Sequence, residues 1–395
     1  MTLVLNTLGE DFTAQVKALL TRKEKELEII NTSTMKIAHC IGCNQCWLKT
    51  PGICSIKDDY EDIIKKMVGA NNLWIVSDTQ FGFFDHKGKR LIDRILPMLN
   101  IYIEFRDGYM RHQLRYHPLN VGVIYKGVGN QELIEEWADR ASHHLNGHSL
   151  GVIDLDGGRK FEDYPAPKAD TSFNDKNIVI INGSPRVQKF SNTDKIIQSF
   201  GKGLEASGLT YEVYSLSNQN EWESAREAFR THQRTIIATP LYVESLPSLL
   251  IEFLETLPKE RQQPAQLSFI LHSGFEEGYQ LRLGEKILQS LPAQLGCSYG
   301  GTLVHGGSFL IRLFEGKNRE KIVKPYEAMG RQFAEQGTFL TPEAKKFTGP
   351  EGYPWLVRQF LKLMLKGIVH KHFNKFAHKW GCTRPLNDKV YEAAQ

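Results

Sequence analysis

Four of the six cysteines fall within fifteen residues, as Cys40-x2-Cys43-x2-Cys46-x7-Cys54, while Cys297 and Cys382 stand far away. Thiolates two residues apart can wrap one metal centre from a single tight loop, and Gly42 eases the turn. A fourth thiolate after a longer gap completes four-fold coordination. That set suits an iron–sulfur cluster or zinc; redox-active thiols without metal are the other use of such a group. A disulfide scaffold would instead spread cysteine pairs through a short secreted chain. His39 adjoins the group and reads as a loop residue.

A second group of residues has the chemistry of an anion grip. Asn182-Gly183-Ser184-Pro185-Arg186 follows the apolar run from Asn177, and Ser191-Asn192-Thr193 opens a helical pattern. A helix N-terminus offers unpaired N–H donors and a partial positive charge to a phosphate. Gly183 permits close approach of the backbone. Ser184, Ser191 and Thr193 offer hydroxyls, Asn192 an amide, and Arg186 a fork that matches phosphate oxygens. No Gly-Lys-Ser/Thr follows, so this is not a Walker loop. The plainer alternative is a strand-to-helix turn capped by Ser191 or Asn192.

The elements that must position these residues alternate between strand and helix. The first passage has strands at 2–6, 27–31, 72–77, 119–125 and 150–155. Its helices lie near 11–20, 59–68, 87–96 and 131–145. The second passage repeats the programme with strands at 177–182, 211–216, 234–238, 266–271 and 298–304. Such alternation predicts parallel βαβ units. The fold class is α/β: two doubly wound parallel-sheet domains in tandem, plus a basic amphipathic helical tail. The expected division is 1–156 with the cysteine loop, a linker at 157–176, 177–340 with the anion grip, and a helical extension at 341–395. In the tail, 354–380, Val369, Phe373, Phe376 and Trp380 share one helix face. Lysines and Arg358 crowd the rest. The expectation is a helix packed on the domains; the alternative is contact with an anionic membrane or a partner protein.

The 395 residues exceed one ordinary domain. Hydrophobic residues at 41% and charged residues at 24% are those of a globular protein. The net charge of +4 is too mild to imply nucleic-acid binding. Met1 to Glu10 lacks the basic patch and apolar run of a signal peptide. No apolar run reaches the ~18 residues of a spanning helix. A cytoplasmic protein is expected.

The loop from Gly183 to Thr193 resembles that of the NADPH-dependent FMN reductase family, of the flavodoxin-like superfamily. The resemblance extends to Thr239-Pro240-Leu241-Tyr242 with Val243, and more weakly to His272-Ser273-Gly274. It implies that Ser184, Pro185, Arg186, Ser191, Asn192 and Thr193 hold the FMN phosphate. It further implies that Pro240, Leu241, Tyr242 and Val243 lie along the isoalloxazine ring, and that Ser273 and Gly274 close the site. The cysteine spacing, with Asp58-Asp59 behind it, resembles that of iron–sulfur flavoproteins, where such cysteines hold a four-iron cluster beside FMN. The resemblance thus implies FMN, NAD(P)H as electron donor, a 4Fe–4S cluster on Cys40, Cys43, Cys46 and Cys54, and a small organic acceptor such as a quinone or flavin. It also implies a dimeric arrangement, met here by the two domains as an internal pair or by a homodimer. In the first domain Asn6-Thr7-Leu8-Gly9 replaces the phosphate loop, and Ser77-Asp78-Thr79-Gln80-Phe81-Gly82 replaces Thr-Pro-x-Tyr. A flavodoxin-like electron carrier and a thiol redox sensor are the alternatives to an enzyme. His112-x2-Arg115-Tyr116 is a candidate contact for substrate or phosphate, against a solvated basic loop.

Overall fold

The computed structural model describes residues 1–157, 161, 173, 175–259 and 261–392. It divides into two compact units, Met1–Phe161 with Tyr353–Gln395, and Glu162–Gly352. The linker expected at 157–176 falls almost wholly outside the described residues.

The first unit runs β1 (Thr2–Asn6), α1 (Thr13–Leu20), β2 (Leu27–Asn31), α2 (Gln45–Leu48), α3 (Tyr60–Val68), β3 (Asn72–Gln80), β4 (Phe83–Phe84), α4 (His86–Asp93), β5 (Leu99–Arg106), β6 (Tyr109–Leu114), β7 (Asn120–Lys126), α5 (Gln131–His144) and β8 (Ser149–Asp154). Five parallel strands form its sheet in the order β2-β1-β3-β7-β8. Counting only those strands, this is the 2-1-3-4-5 order of doubly wound flavodoxin-like sheets. One element departs from expectation. The helix expected to 96 ends at Asp93, and β5 and β6 follow as an antiparallel hairpin. Pro97 cannot continue a helix, and Ile101-Tyr102-Ile103 favours strand. Asp107-Gly108, with φ of 51° and 90°, makes the left-handed turn that closes such a hairpin.

The second unit runs β9 (Asn177–Asn182), α6 (Asn192–Ala206), β10 (Thr210–Ser215), α7 (Trp222–Thr231), β11 (Arg234–Pro240), α8 (Ser248–Glu255), β12 (Gln266–His272), α9 (Arg282–Gln294), β13 (Ser298–His305), α10 (Leu310–Leu313), α11 (Gly316–Gln336) and α12 (Pro342–Phe347). Its parallel order β10-β9-β11-β12-β13 is the same winding. Ile178, Ile180, Ile236 and Ile270 pack under Ile196, Phe200 and Leu204 of α6 and Met329 and Phe333 of α11. Helices cover both faces, so the inner strands are nearly unbroken apolar runs. Helices α6 and α11 cross where Gly203 meets Gly330. A Cβ on Gly203 would lie 2.1 Å from Glu327 O, and one on Gly330 2.1 Å from Phe200 O. This close crossing sets α6 firmly on the sheet, and with it the helix N-terminus.

Both units close their first loop with the same three hydrogen bonds. Thr7 N donates to Val76 O at 3.0 Å, and Gly183 N to Ala238 O at 2.8 Å. Thr32 N donates to Asn6 O at 2.8 Å, and Leu216 N to Asn182 O at 3.0 Å. The amide oxygens of Asn6 and Asn182 accept from Leu8 N and Ser184 N, each at 3.1 Å.

The extension expected at 341–395 is divided between the units. Helix α12 belongs to the second unit, whereas α13 (Trp355–Met364), a π turn at Leu365–Val369 and α14 (His370–Lys379) belong to the first. Of the predicted apolar face, Phe373 is buried and Val369, Phe376 and Trp380 are half-buried; Leu365 and Ala377 are buried as well. Tyr102 of β5 donates to Asn374 Oδ1 at 3.0 Å, and its ring lies 4.1 Å from that of His370.

Candidate functional site: a loop cradle and a four-cysteine loop

The predicted phosphate residues stand at the carboxyl end of β9, beside β11, where the winding of the sheet reverses. Ser184 Oγ accepts from Arg186 N at 3.3 Å and rounds the turn. Ser191 caps α6, its Oγ accepting from Asp194 N at 3.2 Å. Asn192 and Thr193 form the first turn, where N–H groups have no partner within the helix. Pro185 precedes Arg186, which is half-buried.

His272, at the end of β12, ties the surrounding loops together. Its Nδ1 lies 2.8 Å from Ser308 Oγ, which donates to Ser273 O at 2.8 Å. With that proton so placed, Ser308 Oγ accepts, and His272 carries its proton on Nδ1. Nε2 then accepts from Thr193 Oγ1 at 2.8 Å. The His272 carbonyl accepts from Leu241 N at 2.7 Å. Asn192 Nδ2 donates to Ser308 O at 2.8 Å. His272 therefore connects the loops that follow β9, β12 and β13 through its buried imidazole, and the loop that follows β11 through its carbonyl. Residue spacing signalled the loops, but the connection needed the fold, because Thr193 and His272 are 79 residues apart.

Burial, and then the neighbouring His305, push the His272 pKa down to about 3. An unfolded histidine titrates near 6.5. Below about pH 6.5 the unfolded chain therefore binds a proton that the folded chain refuses, and stability falls as pH falls toward the folded value. The slope contributed is up to about 1.4 kcal/mol per pH unit. His272→Gln is expected to flatten that slope for the second unit, measured as urea midpoint against pH. An unchanged slope would contradict a buried neutral imidazole.

The loop after β11 is a tight turn under strain. Tyr242 N donates to Ser245 O at 2.8 Å and Ser245 N to Tyr242 O at 3.1 Å. The two residues between, Val243 and Glu244, have φ of 42° and 65°. A β-branched residue rarely adopts such a backbone, and strain of this kind gathers at binding sites. Ser245 Oγ is fully buried with no partner among the described residues. Pro240 ends β11. Ser273 Oγ donates to Phe275 O at 2.8 Å, and a Cβ on Gly274 would come no nearer than 3.7 Å, to Phe309. All twelve predicted cofactor contacts thus lie at one edge of the second sheet.

The first unit keeps the turn and lacks the cradle. Gln80 and Phe83 pair across Phe81 and Gly82, with φ of 56° and 78°. In its first loop, however, Asn6 Nδ2 donates to Gly9 O at 2.8 Å and Asn31 Oδ1 at 2.7 Å. The loop satisfies itself, and α1 begins without a side-chain cap.

The four cysteines line one small cavity, together with Asn44, Ser55, Arg94 and Pro97. None is in a disulfide. Among the described residues no three His, Cys, Asp or Glu side chains converge on a single-ion site. Arg94, buried at the end of α4, organises the loop. Its Nη1 donates to Ala38 O and Asp58 Oδ2, both at 2.8 Å. Its Nη2 donates to Asp58 Oδ1 at 2.9 Å and reaches Cys54 Sγ at 3.5 Å. Asp58 Oδ2 also accepts from Ala38 N at 2.9 Å, and Asp59 Oδ2 from Lys36 N at 2.7 Å. Burial opposes the Asp58 charge, but Arg94 and the N–H groups outweigh it and hold the carboxyl below its ordinary range. Arg90 donates to Ile37 O at 3.0 Å. Desolvation first, then Asp93 and the other cysteines, push the Cys40 thiol up to about 12, and Cys46 is raised as well.

His112-x2-Arg115-Tyr116 is not a solvated loop: His112 is half-buried, and Arg115 and Tyr116 are buried. His112 lies on β6 with its ring 4.3 Å from Trp47. Buried Arg115 donates to Pro97 O, Leu99 O, Leu386 O and Asp388 O. Tyr116 Oη accepts from Tyr391 N at 3.4 Å. The motif straps the last residues of the tail onto the first unit. Nothing in its spacing signalled this, because its partners lie about 270 residues away.

Residues 176–268 match the model of the NADPH-dependent FMN reductase family. That stretch, from the strand β9 into β12, is similar to that family. Two curated iron–sulfur flavoproteins also match. One, of Methanocaldococcus jannaschii, is 38% identical over 73 residues, 18% of this chain and 37% of the relative. The other, of Archaeoglobus fulgidus, is 42% identical over 69 residues, 18% of this chain and 33% of the relative. The chain spans about a third of the length of these relatives. Among solved structures, an FMN-dependent NADH-azoreductase of Bacillus anthracis in complex with FMN aligns with 40% of this chain and 99% of its own, at 14% identity and TM-score 0.32. An NAD(P)H:quinone oxidoreductase of Methanothermobacter marburgensis aligns with 40% and 97%, at 18% identity and TM-score 0.29. The strand order of each sheet is what marks the fold.

Proposed function

We propose that this chain is an NAD(P)H-dependent FMN oxidoreductase that passes electrons to a small organic acceptor such as a quinone or a flavin. The observation that carries the reading is the cradle tied by His272 at the carboxyl edge of the second sheet. There a family-matching loop, a helix N-terminus, buried hydroxyls, a strained turn and an unpartnered Ser245 hydroxyl come together. That donor set fits FMN. The first turn of α6 and Arg186 hold the phosphate, Ser191 and Thr193 keep the turn in place, and the turn from Pro240 to Val243 forms a stiff wall for the ring system, closed by Ser273 and Gly274.

Bound FMN supplies a centre that accepts two electrons and releases them together or singly, and an iron–sulfur cluster supplies one-electron transfer. In the first unit, four cysteines on one cavity beside a buried guanidinium fit a 4Fe–4S cluster. Arg94 offsets part of the negative charge that four thiolates bring. Burial raises the Cys40 and Cys46 thiols, so those two offer little thiolate to an oxidant while no metal is bound.

The test is anaerobic purification followed by absorption spectroscopy, flavin and iron analysis, and NADPH oxidation with a quinone or free flavin. Stoichiometric FMN with steady turnover is expected. A protein that neither holds nor takes up FMN contradicts the central reading. One that holds FMN without turnover is an electron carrier. Loss of iron on Cys46→Ser with FMN retained would assign the metal to the cysteine loop.

A further inference from the structure

From Tyr353 to Asn387 the sequence contains no Asp or Glu and seven Lys or Arg, from Arg358 to Arg384. The whole chain is only +4, so this segment is more positive than the entire protein. The charge is therefore concentrated on α13, the π turn and α14. These helices use one face to pack on the first unit, through Leu365, Phe373, Asn374 and Ala377. Their other face is exposed among the described residues.

On α13 that outer face is apolar. Leu356, Phe360 and Leu363, at helical spacing i, i+4, i+7, are 74%, 62% and 75% exposed, with Trp355 beside them at 62%. Half of the exposed large apolar side chains among the described residues lie between Trp355 and Ile368. On α14 the outer face is basic instead, with Lys371, Lys375 and Lys379 exposed. An exposed apolar patch flanked by charge marks a contact surface. A second copy of this chain is a poor occupant, because a two-fold contact would set this cationic segment against itself. A nucleic acid would match the lysines but gain little from exposed leucines. An anionic lipid surface matches both halves. Apolar side chains enter the acyl boundary, Trp355 suits the interface, and lysines meet headgroup phosphates. Among the described residues no helix is long and apolar enough to cross a membrane, so the fitting mode is lying on the surface.

We propose that α13 and α14 form a docking helix for anionic phospholipid bilayers. The test is co-sedimentation of the purified full chain with vesicles of phosphatidylcholine alone, or of phosphatidylcholine and phosphatidylglycerol in equal parts. Binding to the mixed vesicles is expected to be at least about tenfold tighter and to weaken with salt. Leu356→Glu/Leu363→Glu should abolish it, with flavin content and circular dichroism serving as fold controls. Lys371→Glu/Lys375→Glu/Lys379→Glu should remove the preference for the anionic vesicles. Equal binding to both vesicles, or wild-type binding by the leucine variant, overturns the proposal. So does a dimer in vesicle-free solution that the leucine variant dissociates, since the occupant would then be a second copy.

Discussion

Arg94→Met is expected to destabilise the first unit by about 3–5 kcal/mol, the range for breaking a buried ion pair from one side. The change leaves Asp58, whose side chain is only 9% exposed, without its cation. It also removes the donor to Ala38 O and the guanidinium beside Cys54. Urea unfolding followed by tryptophan emission reads the effect. Five of the six tryptophans belong to the first unit, and only Trp222 lies in the second. Adding Asp58→Asn should recover part of the loss, because the double variant buries no uncompensated charge. The pH dependence has a definite sign. The Asp58 carboxyl titrates lower folded than unfolded, where it would titrate near 3.9. Its contribution is thus present above about pH 4 and is lost as pH falls through the folded value. The gap between wild type and Arg94→Met should close in acid. A small, pH-independent gap would show that Arg94 only fills space.

Arg186→Ala is expected to weaken FMN binding about 10- to 100-fold, the loss of a charge-assisted hydrogen bond to phosphate at about 1.5–3 kcal/mol. Riboflavin, which lacks the phosphate, is the control. Titrations by flavin fluorescence should show the variant losing affinity for FMN and little for riboflavin. Thr193→Val keeps the side-chain volume but removes the hydroxyl that His272 accepts from, and should weaken FMN by loosening the loop. If Arg186→Ala weakens both ligands equally, the residue shapes the loop and does not hold phosphate.

The two loops differ in how far they could be read from sequence. The residues from Gly183 to Thr193 are local to one strand–helix junction. Backbone donors, a cap and a guanidinium within eleven residues need only a parallel sheet beneath them, and periodicity predicts that sheet. The cysteine spacing is equally local, which is why four thiols on one loop were visible at once. The winding of both sheets also follows from alternating apolar runs and helical patterns. The Asp107-Gly108 hairpin also had legible signals, its turn pair and Pro97 ahead of it, although no strand was expected between 97 and 118.

Partners distant in the chain became visible only in the fold. His272 accepts from Thr193 because parallel strands place successive strand ends along one edge, and no spacing rule links residues 79 apart. No residue pattern in the sequence marks Arg94 or Arg115 as buried. Their burial depends on carbonyls supplied by other segments, Ala38 for one and Leu386 and Asp388 for the other. The tail showed one apolar face in sequence, Val369 to Trp380, and of that face Phe373 is buried and the others are half-buried. Its second face, Leu356 to Leu363, was equally present in the sequence, yet only tertiary packing decides which of two apolar faces is covered and which is left for another surface.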